Sequence, residues 1–142
     1  EYLQTAWGAS VSDGQEADDD IATRATELGD ESIIVSIDKD FMQVPTWHYN
    51  FVKKVKKYVT PEEGLRFFYK QILTGDSADN IKGIYRVGEV TATKMLADAK
   101  TEEELYACCV EAMGAERVLE NARLLWLRRQ ANQMWEPPSE KV

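Results

Sequence analysis

The stretch Ser32-Ile33-Ile34-Val35-Ser36-Ile37-Asp38-Lys39-Asp40 decides the fold class. Its first six residues are mostly β-branched and do not alternate between polar and apolar, a pattern typical of a strand covered on both faces in a parallel sheet. Before it, from about Glu16 to Leu28, apolar residues recur at helical spacing, and Gly29 is placed to end that helix. A helix followed by a buried strand is half of a βαβ unit, so we predict an α/β fold with a partial, mostly parallel sheet.

The residues after this strand indicate two more strands and then a helical region. Residues 47–60 read as the two strands, and Thr60 caps a helix that begins at Pro61 and runs to about Leu73. Residues 74–88 are rich in Gly and Asp, which predicts a loop or short helical turns. We also expect the end of a helix at 1–7, a short strand at 9–11, helices at 90–97, 101–113 and 115–133, and a frayed tail at 137–142.

Composition indicates one compact domain outside the membrane. The 142 residues are 44% hydrophobic, which is enough for an ordinary core, and no stretch is apolar and long enough to span a bilayer. Since there is also no signal-peptide pattern, the simplest interpretation is a cytoplasmic protein. The adjacent Cys108 and Cys109 have no metal-ligand spacing, and the single histidine, His48, cannot build a catalytic triad.

The net charge of −8 argues against a generic nucleic-acid binder, which should be basic. Many of the acids, however, lie in tight clusters that bound metals would neutralise. The basic residues are also concentrated in two places, and local patches decide where a phosphate backbone can lie. One basic run is Lys53, Lys54, Lys56 and Lys57, and a second group, Lys82, Arg86 and Lys94, surrounds a glycine-bearing turn.

Seven carboxylates lie in three clusters, each where a helix or strand is predicted to begin or end. Acids gathered from distant segments repel one another unless a cation holds them together, and hard divalent metals prefer carboxylate oxygen. Two such ions about 3.5–4 Å apart are a common device for cutting phosphodiesters. We therefore predict a site for Mg²⁺ or Mn²⁺ formed by Glu16, Asp18 and Asp19, by Asp38 and Asp40, and by Asp76 and Asp79.

Each cluster also has an ordinary structural explanation. Acids at the start of a helix act as caps and interact favourably with the helix dipole. A cap needs one or two acids, however, and this helix start has four, at positions 16, 18, 19 and 20. Asp38 and Asp40 could be a polar strand exit, or the Asp-x-Asp of a phosphatase with an aspartyl nucleophile. Asp76 and Asp79, placed on one face of a predicted helical turn, could simply make Asx turns. The occurrence of all three clusters in one chain favours the metal site.

Residues 81–92, Ile-Lys-Gly-Ile-Tyr-Arg-Val-Gly-Glu-Val-Thr-Ala, predict a helix, a glycine-bearing hairpin and a second helix. Glycines let the backbone approach a phosphate closely, and the second helix offers free N–H groups at its start. Such a hairpin holds the DNA backbone without reading its sequence. The structural alternative is a helix-turn-helix unit that only packs.

Read together, the three acidic motifs and the hairpin resemble the 5′-3′ exonuclease and flap endonuclease family, which includes the 5′ nuclease domain of bacterial DNA polymerase I and bacteriophage exonucleases. The resemblance covers about residues 15–97, and the sequence around Trp135-Glu136-Pro137-Pro138 is similar to the tail of phage members. It implies that residues 1–60 are the C-terminal part of an α/β nuclease core. It also implies that residues 61–136 are a helical region with a helix-hairpin-helix DNA-binding motif at about 74–97.

The resemblance implies a structure-specific nuclease that acts on DNA 5′ ends or flaps by a two-metal mechanism. Asp38, Asp40 and Asp76 would be catalytic, and all seven clustered acids would bind metal. In the family, one ion activates water for in-line attack and another steadies the leaving oxygen, and the hairpin often binds K⁺. We expect a monomer in a bacterial or phage-infected cell, with DNA contacts from Lys82, Gly83, Arg86, Gly88, Thr91 and Lys94.

The chain also departs from the family pattern. Lys82, Arg86 and Val90 stand where the family usually has Pro, Gly and often Lys, and the upstream strand with another metal-binding Asp and the helical arch are not in this sequence. We therefore read the chain, which does not begin with Met, as the continuation of something longer, and we expect it to retain part of the site and to lose much of the activity. Two alternatives stay open: a non-catalytic DNA-binding remnant, and an aspartyl-phosphate phosphatase built on Asp38 and Asp40.

Overall fold

The computed structural model describes residues 2–9, 16–129 and 133–138 of the chain. These residues form helices and two small sheets, and two 3-10 turns, Gly29–Glu31 and Lys39–Gln43, flank the first strand. The predicted strand at 9–11 falls largely outside the described residues. The elements are α1 (Tyr2–Trp7), α2 (Ala17–Leu28), β1 (Ile33–Val35), β2 (Trp47–Asn50), β3 (Val55–Tyr58), α3 (Pro61–Thr74), β4 (Gly75–Asp76), β5 (Ile81–Lys82), α4 (Glu89–Met95), α5 (Glu102–Met113) and α6 (Ala115–Leu125).

The first sheet has the order β1-β2-β3 and is mixed. β1 pairs with β2 in parallel and β2 pairs with β3 antiparallel, so within the described residues the sheet is not mostly parallel as predicted. Only one face of β1 is covered: Ile34 is buried against α2, whereas Val35 is 58% exposed. The prediction of a strand covered on both faces is therefore wrong for the part of the chain that the structure describes.

The helical region packs around α3, and the predicted caps of α3 and α5 are present. The hydroxyl of Thr60 accepts the Glu63 N–H at 3.1 Å, and the hydroxyl of Thr101 caps α5 in the same way by accepting from Glu104. α3 contacts α4, α5 and α6 and the 3-10 turn at residues 39–43. Its buried side chains join a core with members from each of these helices: Phe68, Tyr69, Ile72, Leu73, Ile81, Ala92, Leu96, Ala99, Leu105, Cys109, Val118, Ala122, Leu125 and Trp135.

The C-terminal end of the chain differs from its prediction. α6 ends at Leu125 rather than near residue 133, because Trp126 leaves the helical conformation and packs edge-on against Phe68, with ring centroids 5.0 Å apart. Pro137 and Pro138, predicted as part of a frayed tail, are buried. No helix in the described ranges is apolar and long enough to cross a membrane.

The segment between α3 and α4 is a two-stranded hairpin rather than a series of helical turns. Gly75 pairs with Lys82, and Asp76 pairs with Ile81, so the predicted helix at Ile81 is wrong. The strands approach so closely that a Cβ on Gly75 would lie 2.3 Å from the Gly83 nitrogen. Gly75 also has a φ of 72°, which favours glycine. Gly75 in β4 and Gly83 immediately after β5 therefore permit this pairing, which places Asp76 close to the end of α3.

The α/β part has its own small core, formed by Ala22, Ala25, Ile34, Phe41 and Val44. Gln43 connects it to the helical region: its Nε2 donates to the Leu125 carbonyl at 2.9 Å, and its Oε1 accepts the Leu127 N–H at 2.9 Å. These contacts hold the 3-10 turn at residues 39–43 against the helical core. The domain division near residue 60 stays a prediction.

Candidate metal centre

Three carboxylates from two separate parts of the fold converge at one place. Asp40, Asp76 and Asp79 can each offer an oxygen such that all three oxygens lie within 4.8 Å of one another. Asp40 lies on the 3-10 turn after β1, Asp76 lies in β4, and Asp79 lies in the turn that joins β4 to β5. Asp40 of the second acidic cluster therefore approaches both acids of the third, whereas Asp38 is not one of the three converging groups.

Short local contacts shape the two segments that carry these acids. The Asp40 N–H donates to Asp38 Oδ1 at 2.9 Å, so Asp38 caps the turn that presents Asp40. In the other segment, Asp76 Oδ1 accepts the Ala78 N–H at 3.0 Å, which makes an Asx turn. The turn between β4 and β5 therefore brings Asp76 and Asp79 together, whereas the prediction was one face of a helical turn.

The pKa values show that the acids act on one another. The pKa of Asp40 is raised above 3.8, chiefly by burial and also by repulsion from Asp38, Asp76 and Asp79, while a hydrogen bond from Gln71 partly offsets the rise. The pKa of Asp18 is raised by burial and then by repulsion from Asp38, Asp19 and Asp79. The start of α2 therefore lies within electrostatic reach of the other two clusters. A divalent cation would relieve this repulsion.

The remaining acids of the first cluster have different surroundings. Asp19 Oδ1 accepts the Arg128 N–H at 2.8 Å, which ties the start of α2 to the segment after α6. Glu16 precedes α2 with an exposed side chain that makes no capping hydrogen bond. Asp19 therefore has a structural contact besides any part in metal binding, and the roles predicted for Glu16 and Asp19 stay predictions.

Gln71 is a functional candidate that the sequence analysis missed. Its Nε2 donates to Asp40 Oδ1 at 2.7 Å, and it lies on the buried face of α3. The available signal was a polar residue next to the apolar Ile72 and Leu73 on a helix that ends at an acidic cluster. Gln71 also lines a cleft of about 430 Å³ beside Asp76, with Lys39 and Lys70 on its walls.

The residues predicted to contact DNA lie on β5, on the segment after it and on α4. Lys82, Arg86, Thr91 and Lys94 are exposed, and Gly88 stands immediately before α4. Arg86 has a φ of 63°, and its guanidinium lies 5.2 Å from the centre of the Tyr85 ring. These residues thus share one exposed stretch, and their roles stay predictions.

The two glycines of this stretch differ. A Cβ on Gly83 would lie 2.2 Å from the Thr74 carbonyl carbon, so Gly83 is required by the packing of the hairpin on α3. A Cβ on Gly88 would meet no atom within 4 Å. Gly88 is therefore the one of the two whose backbone is open to a ligand.

Comparisons with known proteins identify relatives among nucleases. No protein-family model matches the chain. The chain is 33% identical over 133 residues to the flap endonuclease Xni of Shewanella piezotolerans, covering 82% of this chain and 50% of that protein. It is 35% identical over 105 residues to the 5′-3′ exonuclease of Buchnera aphidicola (66% and 37%) and 38% identical over 100 residues to DNA polymerase I of Rhizobium leguminosarum (61% and 10%). The chain thus spans at most about half the length of these relatives.

The fold is also similar to solved structures of a phage protein. The T5 D15 protein, co-crystallised with metal ions, matches with a TM-score of 0.58 and 17% identity, over 87% of this chain and 62% of that one. A mutant of the T5 5′-exonuclease matches with the same TM-score over 68% of its chain. The solved structures agree in fold with what the sequence relatives indicate. The chain is homologous to part of the 5′-3′ exonucleases and flap endonucleases that these relatives represent.

Proposed function

We propose that the protein hydrolyses DNA phosphodiesters at 5′ ends or 5′ flaps, using Mg²⁺ or Mn²⁺ held by its clustered acids. The observation that carries the proposal is the convergence of Asp40, Asp76 and Asp79 from separate segments to within 4.8 Å. The names of the sequence relatives, flap endonuclease and 5′-3′ exonuclease, supply the reaction class.

The residues of the centre fit a hard divalent cation. The three converging groups are carboxylates, which are the ligands that Mg²⁺ and Mn²⁺ prefer. Besides burial, repulsion from Asp38, Asp76 and Asp79 raises the pKa of Asp40. The group that lowers this pKa is the neutral amide of Gln71 rather than a lysine or an arginine. When bound, two such ions supply Lewis-acid chemistry that activates water and stabilises charge on the phosphate.

The chain's own groups hold and orient the reactants. Asp38, Asp40 and Asp76 would act as the catalytic acids. Together with Glu16, Asp18, Asp19 and Asp79 they would hold the ions, and Asp40, Asp76 and Asp79 are the three whose oxygens converge. The exposed stretch from Lys82 to Lys94 places the duplex beside the acids, since cations and open backbone there suit phosphate oxygen. We also propose that backbone carbonyls of this stretch hold a K⁺ ion. The protein would be a monomer in the cytoplasm of a bacterial or phage-infected cell.

The test is cleavage of a 5′-flap DNA labelled at its 5′ end. We expect products with Mn²⁺ or Mg²⁺, none in EDTA, and none for Asp40→Asn, with Asp98→Asn as the control because Asp98 is an exposed acid outside the centre. Binding of the flap without cleavage, unchanged by metal, would support a non-catalytic DNA-binding protein instead. Hydrolysis of small phosphate esters that depends on Asp38 would support the phosphatase alternative.

A further inference from the structure

Gln71 contacts both parts of the acidic centre. Its side-chain Nε2 donates to Asp40 Oδ1 at 2.7 Å, and its main-chain oxygen accepts the N–H of Gly75, the residue before Asp76. The side chain is only 5% exposed. One residue of α3 therefore links the 3-10 turn that carries Asp40 to the strand that carries Asp76.

The other end of the Gln71 amide has no hydrogen-bond partner within the protein. Gln71 Oε1 is the one buried side-chain nitrogen or oxygen without a hydrogen bond among the residues that the structure describes. Turning the amide over would place Oε1 against a carboxylate oxygen, so the NH₂ group must face Asp40. A buried acceptor without a partner lowers stability, and an apolar side chain of similar volume would avoid that cost. Folding alone therefore does not explain a glutamine here.

We propose that Gln71 is a positioning residue that holds the Asp40 carboxylate in the orientation that binds the divalent ion. This inference rests on the proposed function. Asp40 is repelled by Asp38, Asp76 and Asp79, so its side chain needs a donor to stay in place when no ion is bound. A neutral amide supplies that donor without adding a positive charge that would compete with the cation. Donors that orient metal ligands in this way typically change metal affinity 10- to 100-fold.

The test measures Mn²⁺ affinity and thermal stability together. Mn²⁺ is titrated into the purified full chain while the free ion is followed by its EPR signal, for the wild type, for Gln71→Met and for Thr46→Val. Met has nearly the volume of Gln and removes both the donor and the unpaired oxygen. Thr46 is a matched control because it is fully buried and its hydroxyl lies 3.0 Å from both the Gly29 and the Ser32 carbonyl oxygens. It precedes β2, at the opposite end of the sheet from Asp40.

We expect opposite results from the two variants. Gln71→Met should bind Mn²⁺ on the order of tenfold or more weakly, with an unchanged or higher Tm, and its cleavage of flap DNA should recover when Mn²⁺ is raised. Thr46→Val should have a lower Tm and unchanged Mn²⁺ affinity. If Gln71→Met melts like the wild type and binds Mn²⁺ equally well, the positioning role is wrong while the metal centre stands. If the wild type itself binds no Mn²⁺, the proposed function fails and this inference fails with it.

Discussion

Helix α3 has a core-facing side and, toward its C-terminal end, a side that meets the acidic centre, and these two sides follow opposite physical rules. Its core-facing side chains, such as Phe68 and Ile72, are fully buried among apolar neighbours. Its C-terminal end meets the acidic centre, where like charges lie close together and the pKa values of Asp18 and Asp40 are raised. Burial in the core raises the free energy of unfolding, and repulsion in the acidic centre lowers it. A substitution should therefore affect either folding or metal binding, according to the side of α3 on which it lies.

The largest effect expected is on activity, from Asp76→Asn. Asn keeps the oxygen that accepts the Ala78 N–H, so the turn that carries Asp79 should stay intact. Loss of a metal-binding carboxylate should slow flap cleavage on the order of 1000-fold, about 4 kcal/mol of transition-state stabilisation. Single-turnover cleavage at saturating Mn²⁺ measures this loss.

In contrast to its activity, the stability of Asp76→Asn should be unchanged or higher. Removing one of several repelling charges should leave the Tm in EDTA equal to or above that of the wild type. A large drop in Tm would mean that Asp76 stabilises the fold, and the contrast between the two sides of α3 would then be lost.

The next effect is on stability alone, from Leu105→Ala. Leu105 is buried in the core on α5, a helix that carries none of the acids of the centre. Truncation should lower the free energy of unfolding by about 3 kcal/mol, through lost burial and the cavity left behind. Urea unfolding measures it, and the folded variant should keep its Mn²⁺ affinity. A loss of affinity in the folded variant would show that the core and the centre are coupled.

Part of this architecture could be predicted because its signals are local. Gly29 ends α2, and Thr60 and Thr101 cap their helices, since each depends on a few neighbouring residues. The approach of Asp40 to the later acids was also predictable. Acids drawn from distant segments need a common cation, and the carboxyl end of a strand is where such sites form.

The features that were missed depend on contacts across the fold. Strands β4 and β5 have two residues each, too few to show a period, and they pair because Gly75 and Gly83 allow close approach. The exposure of one face of β1 could not be predicted from its apolar residues, because an apolar run does not indicate which elements cover each face of a strand. Gln71 belongs to no sequence motif, and its proposed role depends on Asp40, which is 31 residues away in the sequence.

A smaller effect separates the two glycines of the proposed DNA-contacting stretch. Gly83→Ala should destabilise the protein by about 2 kcal/mol, because the new Cβ would overlap the Thr74 backbone. Gly88→Ala has open space and should change stability by less than about 0.5 kcal/mol. If the Gly88 backbone approaches a phosphate, however, Gly88→Ala should weaken binding of flap DNA in EDTA. Equal binding by the wild type and Gly88→Ala, measured by fluorescence anisotropy, would remove Gly88 from the interface.

The smallest effect is on the pH dependence of stability in EDTA. Because the pKa of Asp40 is raised above 3.8, the folded state binds more protons than the unfolded state between 3.8 and the raised value. The free energy of unfolding contributed by Asp40 therefore falls as pH rises through that window. His48 acts in the opposite direction: burial lowers its pKa below 6.5, so its contribution is lost as pH falls below 6.5.

Comparing the wild type with Asp40→Asn cancels the His48 contribution, since both proteins keep that residue. The wild type should lose stability relative to Asp40→Asn as pH rises from about 4 to 7 in EDTA, in thermal melts at matched ionic strength. Saturating Mn²⁺ at pH 7 should then stabilise the wild type and leave the variant almost unchanged, since only binding to the folded state raises the Tm. A constant difference across this pH range would mean that the pKa of Asp40 is raised neither by burial nor by the neighbouring acids, and the acidic side of α3 would need another explanation.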